Sequence, residues 1–120
     1  MRAELRHFYP VDFEEWHYWP EDEEDFGFPA EALIGLKDGR GEEIYSFWVC
    51  SPKWFAKNKM EKPRFVRHYF FMNEYDETTL KRLVEDFVNN TTAKTWSGIT
   101  EKLSRFMFSE FEDYQESPKP

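Results

Sequence analysis

Chemistry on this chain would have to come from its three histidines, its lone cysteine or its carboxylates. His7, His17 and His68 are scattered; none sits in HExxH spacing or three to five residues from another metal-type ligand in a recognisable template. His17 adjoins Glu14 and Glu15, but neighbouring residues point in different directions, so the trio reads as an exposed loop and not a ligand cluster. Cys50 lies in a run of aromatic and β-branched residues, where a cysteine acts as a small buried hydrophobe rather than a nucleophile. The five glycines are dispersed, which leaves no glycine-rich loop to cradle a phosphate. Carboxylates are abundant, yet a glycosidase needs two at a set separation in a cleft, and spacing along the chain does not specify that. The expectation is therefore no catalytic residue, no metal and no cofactor, and the weight falls on binding.

The residues suited to binding are concentrated in one stretch. The formal charge is −8, and residues 7–36 carry Asp12, Glu14, Glu15, Glu21, Asp22, Glu23, Glu24, Asp25 and Glu31 without a Lys or Arg. Trp16, Tyr18, Trp19, Phe26 and Phe28 are interleaved with these acids. Carboxylates around apolar anchors suit a basic protein partner and repel nucleic acid. Trp16, Trp19, Asp22, Glu23, Glu24, Asp25 and Phe26 form the leading candidate interface; Glu110, Glu112 and Asp113 form a second, and the sequence does not say whether the two lie near each other. The plain alternative for residues 21–25 is a solvated loop that serves solubility. A basic stretch, Lys53, Lys57, Lys59, Lys62, Arg64 and Arg67, reads as the polar face of a short helix and its exit loop rather than as a phosphate-binding surface.

The elements that must position these residues follow from pattern and punctuation. A chain of 120 residues, 20% aromatic, is long enough for one core and too aromatic for disorder, so a single domain over 1–120 is expected, with 116–120 a frayed tail. Arg2 to Tyr9 alternates as a first strand that Pro10 ends, and the acidic loop runs on to Pro29. Ala30, Ala32, Ile34 and Leu36 share one parity, Asp38-Gly39-Arg40-Gly41 supplies glycines where a tight turn needs positive φ, and Ile44 to Cys50 returns as a strand apolar on both faces, hence central. Ser51 before Pro52 is an N-cap with Pro at the first helical position, predicting a short helix to about Lys59. Arg64 to Asn73 reads as another strand. Asp76 caps a helix whose Leu80, Leu83, Val84, Phe87 and Val88 form one stripe, and Thr95 caps a last helix with Trp96, Ile99, Leu103 and Phe106 on one face. The class is α+β: a mostly antiparallel sheet of about four strands with two to three helices packed on one face. No apolar run is long enough to span a bilayer, no signal peptide opens the chain, and a single cysteine fits a reducing compartment, so a soluble cytoplasmic protein with no membrane partner is expected.

Several short motifs occur together and in order. They are Ile34-Gly35, Gly39 and Gly41, Phe47-x-Val49-Cys50-x-Pro52-x-Trp54, Glu74-Tyr75-Asp76 at a helix start, Thr95-Trp96, Lys102-Leu103 and Phe111-Glu112-Asp113-Tyr114. This set, from about residue 3 to 114, resembles the immunity protein 8 family of bacterial polymorphic toxin systems, with residues 57–68 matching least. The resemblance implies an α+β inhibitor that binds and neutralises a toxin encoded beside it. A basic nuclease is one toxin an acidic inhibitor would suit. Trp54, Trp96 and Tyr114 read as core aromatics rather than toxin contacts. Two readings from other classes stay open: a small acidic enzyme and a self-associating scaffold domain. The oligomeric state is not legible.

Overall fold

The computed structural model describes residues 1–11 and 18–112. Five strands and three helices follow in the order β1 (Ala3–Pro10), β2 (Gly27–Leu36), β3 (Glu43–Cys50), α1 (Pro52–Asn58), β4 (Tyr69–Phe71), α2 (Glu77–Asn89), α3 (Trp96–Leu103) and β5 (Phe108–Ser109). The sheet runs β1-β2-β3-β4, with β5 also on β3. All pairs are antiparallel except β3 with β4. This is an α+β fold.

β1 owes its faces to a bulge between Leu5 and His7. Without the extra residue, Ala3, Leu5, His7 and Tyr9 would share one side; the bulge turns Phe8 and Pro10 inward instead. The β2–β3 hairpin turns with Asp38 at φ 64° and Gly41 at φ 80°, so the first left-handed position falls to Asp38 and not to Gly39. Arg6 fastens that turn: its guanidinium donates to the carbonyls of Leu36 (2.7 Å) and Gly39 (3.0 Å) and pairs with Glu4 at 2.7 Å.

One face of the sheet carries Phe28, Ala30, Ala32 and Ile34 of β2 and Tyr45, Phe47 and Val49 of β3, all buried. Against it lie Leu80, Val84 and Val88 of α2 and Ile99 and Leu103 of α3. Small residues at 30 and 32 leave room for the helices above. Asp76 and Thr95 accept the backbone N–H of Thr79 and Gly98 at 3.1 Å each, so both helices start where their caps predict. The α2 stripe is narrower than its spacing implies: Leu83 is 40% exposed, and Phe106 lies beyond the end of α3, 61% exposed.

α1 sits on the other face. Its Trp54 stacks on Trp48 at 5.4 Å, and Trp48 alternates with the core residues Phe47 and Val49. Phe55 meets Tyr69 and Phe71 edge-on at 5.0 and 5.4 Å. The helices thus divide between both faces, two against one.

The strand expected over Arg64–Asn73 is only three residues long, and it runs parallel to β3. Residues 64–68 form no regular structure, since α1 must return the chain along β3 before it can pair in the same direction. β2 begins at Gly27, which draws Phe28 and Pro29 out of the expected loop and into the sheet.

Candidate functional site

The acidic loop is a short turn pinned at both ends. The Asp22 carboxylate accepts the backbone N–H of Glu24 at 2.9 Å, and the Asp22 carbonyl accepts that of Asp25 at 3.0 Å. The Glu23 carbonyl accepts the N–H of Tyr75 at 2.8 Å, which ties the loop to the approach to α2. On the other flank, Ser51 Oγ accepts the N–H of both Phe26 and Trp54 at 3.2 Å, so one buried hydroxyl caps α1 and holds the loop's exit.

α1 neutralises part of the loop. Lys53 lies 3.6 Å from Asp22 and Lys57 2.5 Å from Asp25. The Asp25 carboxylate holds the Lys57 ammonium above its ordinary range. Such exposed pairs add little stability, but they remove Asp22 and Asp25 from the free charge. Glu21, Glu23, Glu24 and the nearby Glu74 form no salt bridge with any described residue.

Beside them Trp19 stands 70% exposed. It borders an open hollow of about 660 Å³ walled by Glu74, Tyr75, Asp76, Glu77 and Thr78. Tyr75 is the floor under the indole: its buried ring meets Trp19 edge-on at 6.0 Å, Phe26 at 5.3 Å and Tyr18 at 5.4 Å. Its hydroxyl has no hydrogen-bond partner among the described residues, and burial pushes its pKa upward. Asp76 is exposed at the start of α2, where accepting from the Thr79 N–H and hydroxyl holds its carboxyl below the ordinary range.

The structure therefore brings Trp19, Asp22, Glu23, Glu24 and Asp25 to one surface. Phe26 is not on it: 1% exposed, it is a core residue that supports the loop from beneath. Trp16 and Asp113 lie outside the described residues. Glu110 and Glu112 sit elsewhere and are engaged internally. The Glu110 carboxylate accepts the Ile44 N–H, and Glu112 receives a two-pronged contact from Arg67 at 3.0 and 3.2 Å. Glu110 stands at the Ile44 end of β3, whereas the acidic loop enters the sheet at the opposite end, where Gly27 pairs with Cys50. Six residues of strand separate them, roughly 20 Å. The wall formed by Glu74, Tyr75 and Thr78 was missed as part of a site. Glu74-Tyr75-Asp76 reads as a helix start, and nothing local announces its approach to Trp19, 55 positions away.

The nucleophile candidate is disabled. Cys50 is fully buried in β3, and burial pushes its thiol up to about 12. Among the described residues no three His, Cys, Asp or Glu side chains gather as metal ligands, and no helix is long and apolar enough to cross a membrane. The arrangement offers a charged rim, an exposed aromatic and a supported hollow.

Comparison with curated proteins and with solved structures finds no match. The family model described as Immunity protein 8 matches residues 3–114. That span takes in the whole sheet, all three helices and the acidic loop, and on it the chain belongs to the immunity protein 8 family.

Proposed function

We propose that this chain protects a bacterial cell from a toxin of a polymorphic toxin system by binding the toxin domain directly, in the cytoplasm, through the surface around Trp19. It acts as a stoichiometric inhibitor rather than an enzyme. Family membership over residues 3–114 carries the toxin–immunity assignment. The single structural observation that supports this surface is the exposed Trp19 indole, which borders a hollow walled by Glu74 beside a loop whose Glu21, Glu23 and Glu24 form no salt bridge with any described residue. Aromatic anchors in charged rims are typical of binding hot spots, and an acidic rim favours a basic partner such as a nuclease domain.

Co-expression with the toxin domain encoded beside it tests the reading. Protected growth together with a one-to-one complex on affinity purification is the expected result. A toxic domain that is neither neutralised nor retained overturns it.

A further inference from the structure

The molecule's free charge is segregated on the two sides of α1. On one side is the acidic loop, fastened to the helix through Lys53 and Lys57, with Glu21, Glu23 and Glu24 unpaired among the described residues. On the other, the 59–67 loop leaves the C-terminal end of α1, with Lys59 lying 4.4 Å over the Trp48 ring. Arg64 donates to the Lys59 carbonyl at 3.3 Å, and neither it nor Lys62 has a carboxylate partner among the described residues, whereas Arg67 is committed to Glu112. Between the two lies an incompletely covered apolar strip. α1 has no buried residue, Met60 and Phe71 are close to half exposed, and Phe65 projects entirely into solvent.

We propose that the chain pairs with a second copy of itself across a two-fold axis near α1, the acidic loop of each copy receiving the 59–67 loop of the other. Both halves of the contact are present on one chain. A two-fold operator uses each twice and closes, so no filament results. Glu21, Glu23 and Glu24 face Lys62 and Arg64, while Phe65 and the half-covered strip supply the apolar area that exposed patches of this kind bury on association. The lysine–aspartate pairs along α1 leave the centre of the face nearly neutral, which spares the dimer a buried like-charge contact. The contact draws on the same Glu21, Glu23 and Glu24 as the toxin-facing surface, so a second copy and a toxin would compete for them, and it is tested without a toxin.

Light scattering across a concentration series, at fixed salt, reads the mass directly. Wild type should approach twice 14.7 kDa as concentration rises. Lys62→Glu with Arg64→Glu, and separately Glu21→Lys with Glu23→Lys and Glu24→Lys, should each weaken self-association by roughly tenfold or more. All these side chains are on the surface, and circular dichroism verifies the folds. Mixing the two variants should restore a dimer, because the two reversed loops complement each other at one contact and the two unaltered loops at the other. A wild type that stays monomeric overturns the proposal, as does a dimer that either charge reversal leaves unchanged, or a mixture that fails to re-form one.

Discussion

Ser51 holds two segments with one oxygen. Its hydroxyl is buried and accepts N–H groups from Phe26 and Trp54. Ser51→Ala strips the cap from α1 and orphans a buried donor where the acidic loop enters β2. The expected cost is about 1–3 kcal/mol, read as a lower urea midpoint with unchanged m. Trp19 is the opposite kind of residue. Largely exposed, it should cost well under 1 kcal/mol of stability on replacement by Ala, yet more than about 1 kcal/mol of toxin affinity if the indole is the anchor. Unchanged affinity in a titration with Trp19→Ala would move the interface elsewhere. His68 adds a pH dependence. It is buried against Phe108 at 4.4 Å with Nε2 unpartnered among the described residues; desolvation, then Arg67, hold its pKa below its ordinary 6.5, with Glu112 pulling the other way. The folded state therefore binds fewer protons than the unfolded one below pH 6.5, and His68 makes stability fall as pH drops through that value. His68→Phe should flatten the urea midpoint against pH in that window; an unaltered slope would show that other groups carry it.

At the scale of elements, α1 depends on a glycine far away in sequence. A Cβ on Gly27 would fall inside the Trp54 indole, so the ring lies flat on the β2 backbone and only glycine permits it. Gly27→Ala should cost about 1–3 kcal/mol as Trp54 is driven off Trp48. In a Trp54→Ala background the same change should be nearly neutral, and a double-mutant cycle on urea midpoints measures that coupling; additive costs would mean that the contact does not hold the helix. This contact also shows where sequence reading stops. Ser51, Asp76 and Thr95 were legible as caps because a cap needs only its own next three residues. The hairpin was legible from parity and turn residues, although Asp38 took the left-handed angle assigned to Gly39. β4 was not: Arg64–Asn73 has the composition of a strand throughout, but its pairing depends on β3, some twenty residues earlier. Phe26 failed for a related reason. Interleaved with acids it resembles Trp19, and only the β2 register, Phe28 against Val49 and Gly27 against Cys50, shows that the sheet has already begun.

For the whole molecule, the question is whether net charge or its placement governs capture of a basic toxin. The −8 formal charge is a property of the chain, but its carboxylates are not equivalent. Asp22 and Asp25 are answered by Lys53 and Lys57, while Glu23 and Glu24 are answered by no cation among the described residues. Changing Asp22→Asn with Asp25→Asn and changing Glu23→Gln with Glu24→Gln each remove two negative charges. If long-range steering by total charge dominates, the two variants should lose association rate equally. If the local field around Trp19 dominates, the glutamine variant should associate several-fold more slowly at low salt and show the flatter salt dependence. The asparagine variant should change less in rate, although it releases two lysines that a basic partner would then meet. We expect the second pattern, because the screening length of about 8 Å at physiological ionic strength favours nearby acids, and the segment carrying Glu23 and Glu24 is tied through the Glu23 carbonyl to Tyr75, which lies under the indole. Stopped-flow association across a salt series decides it, and equal rate losses in the two variants would return the effect to net charge.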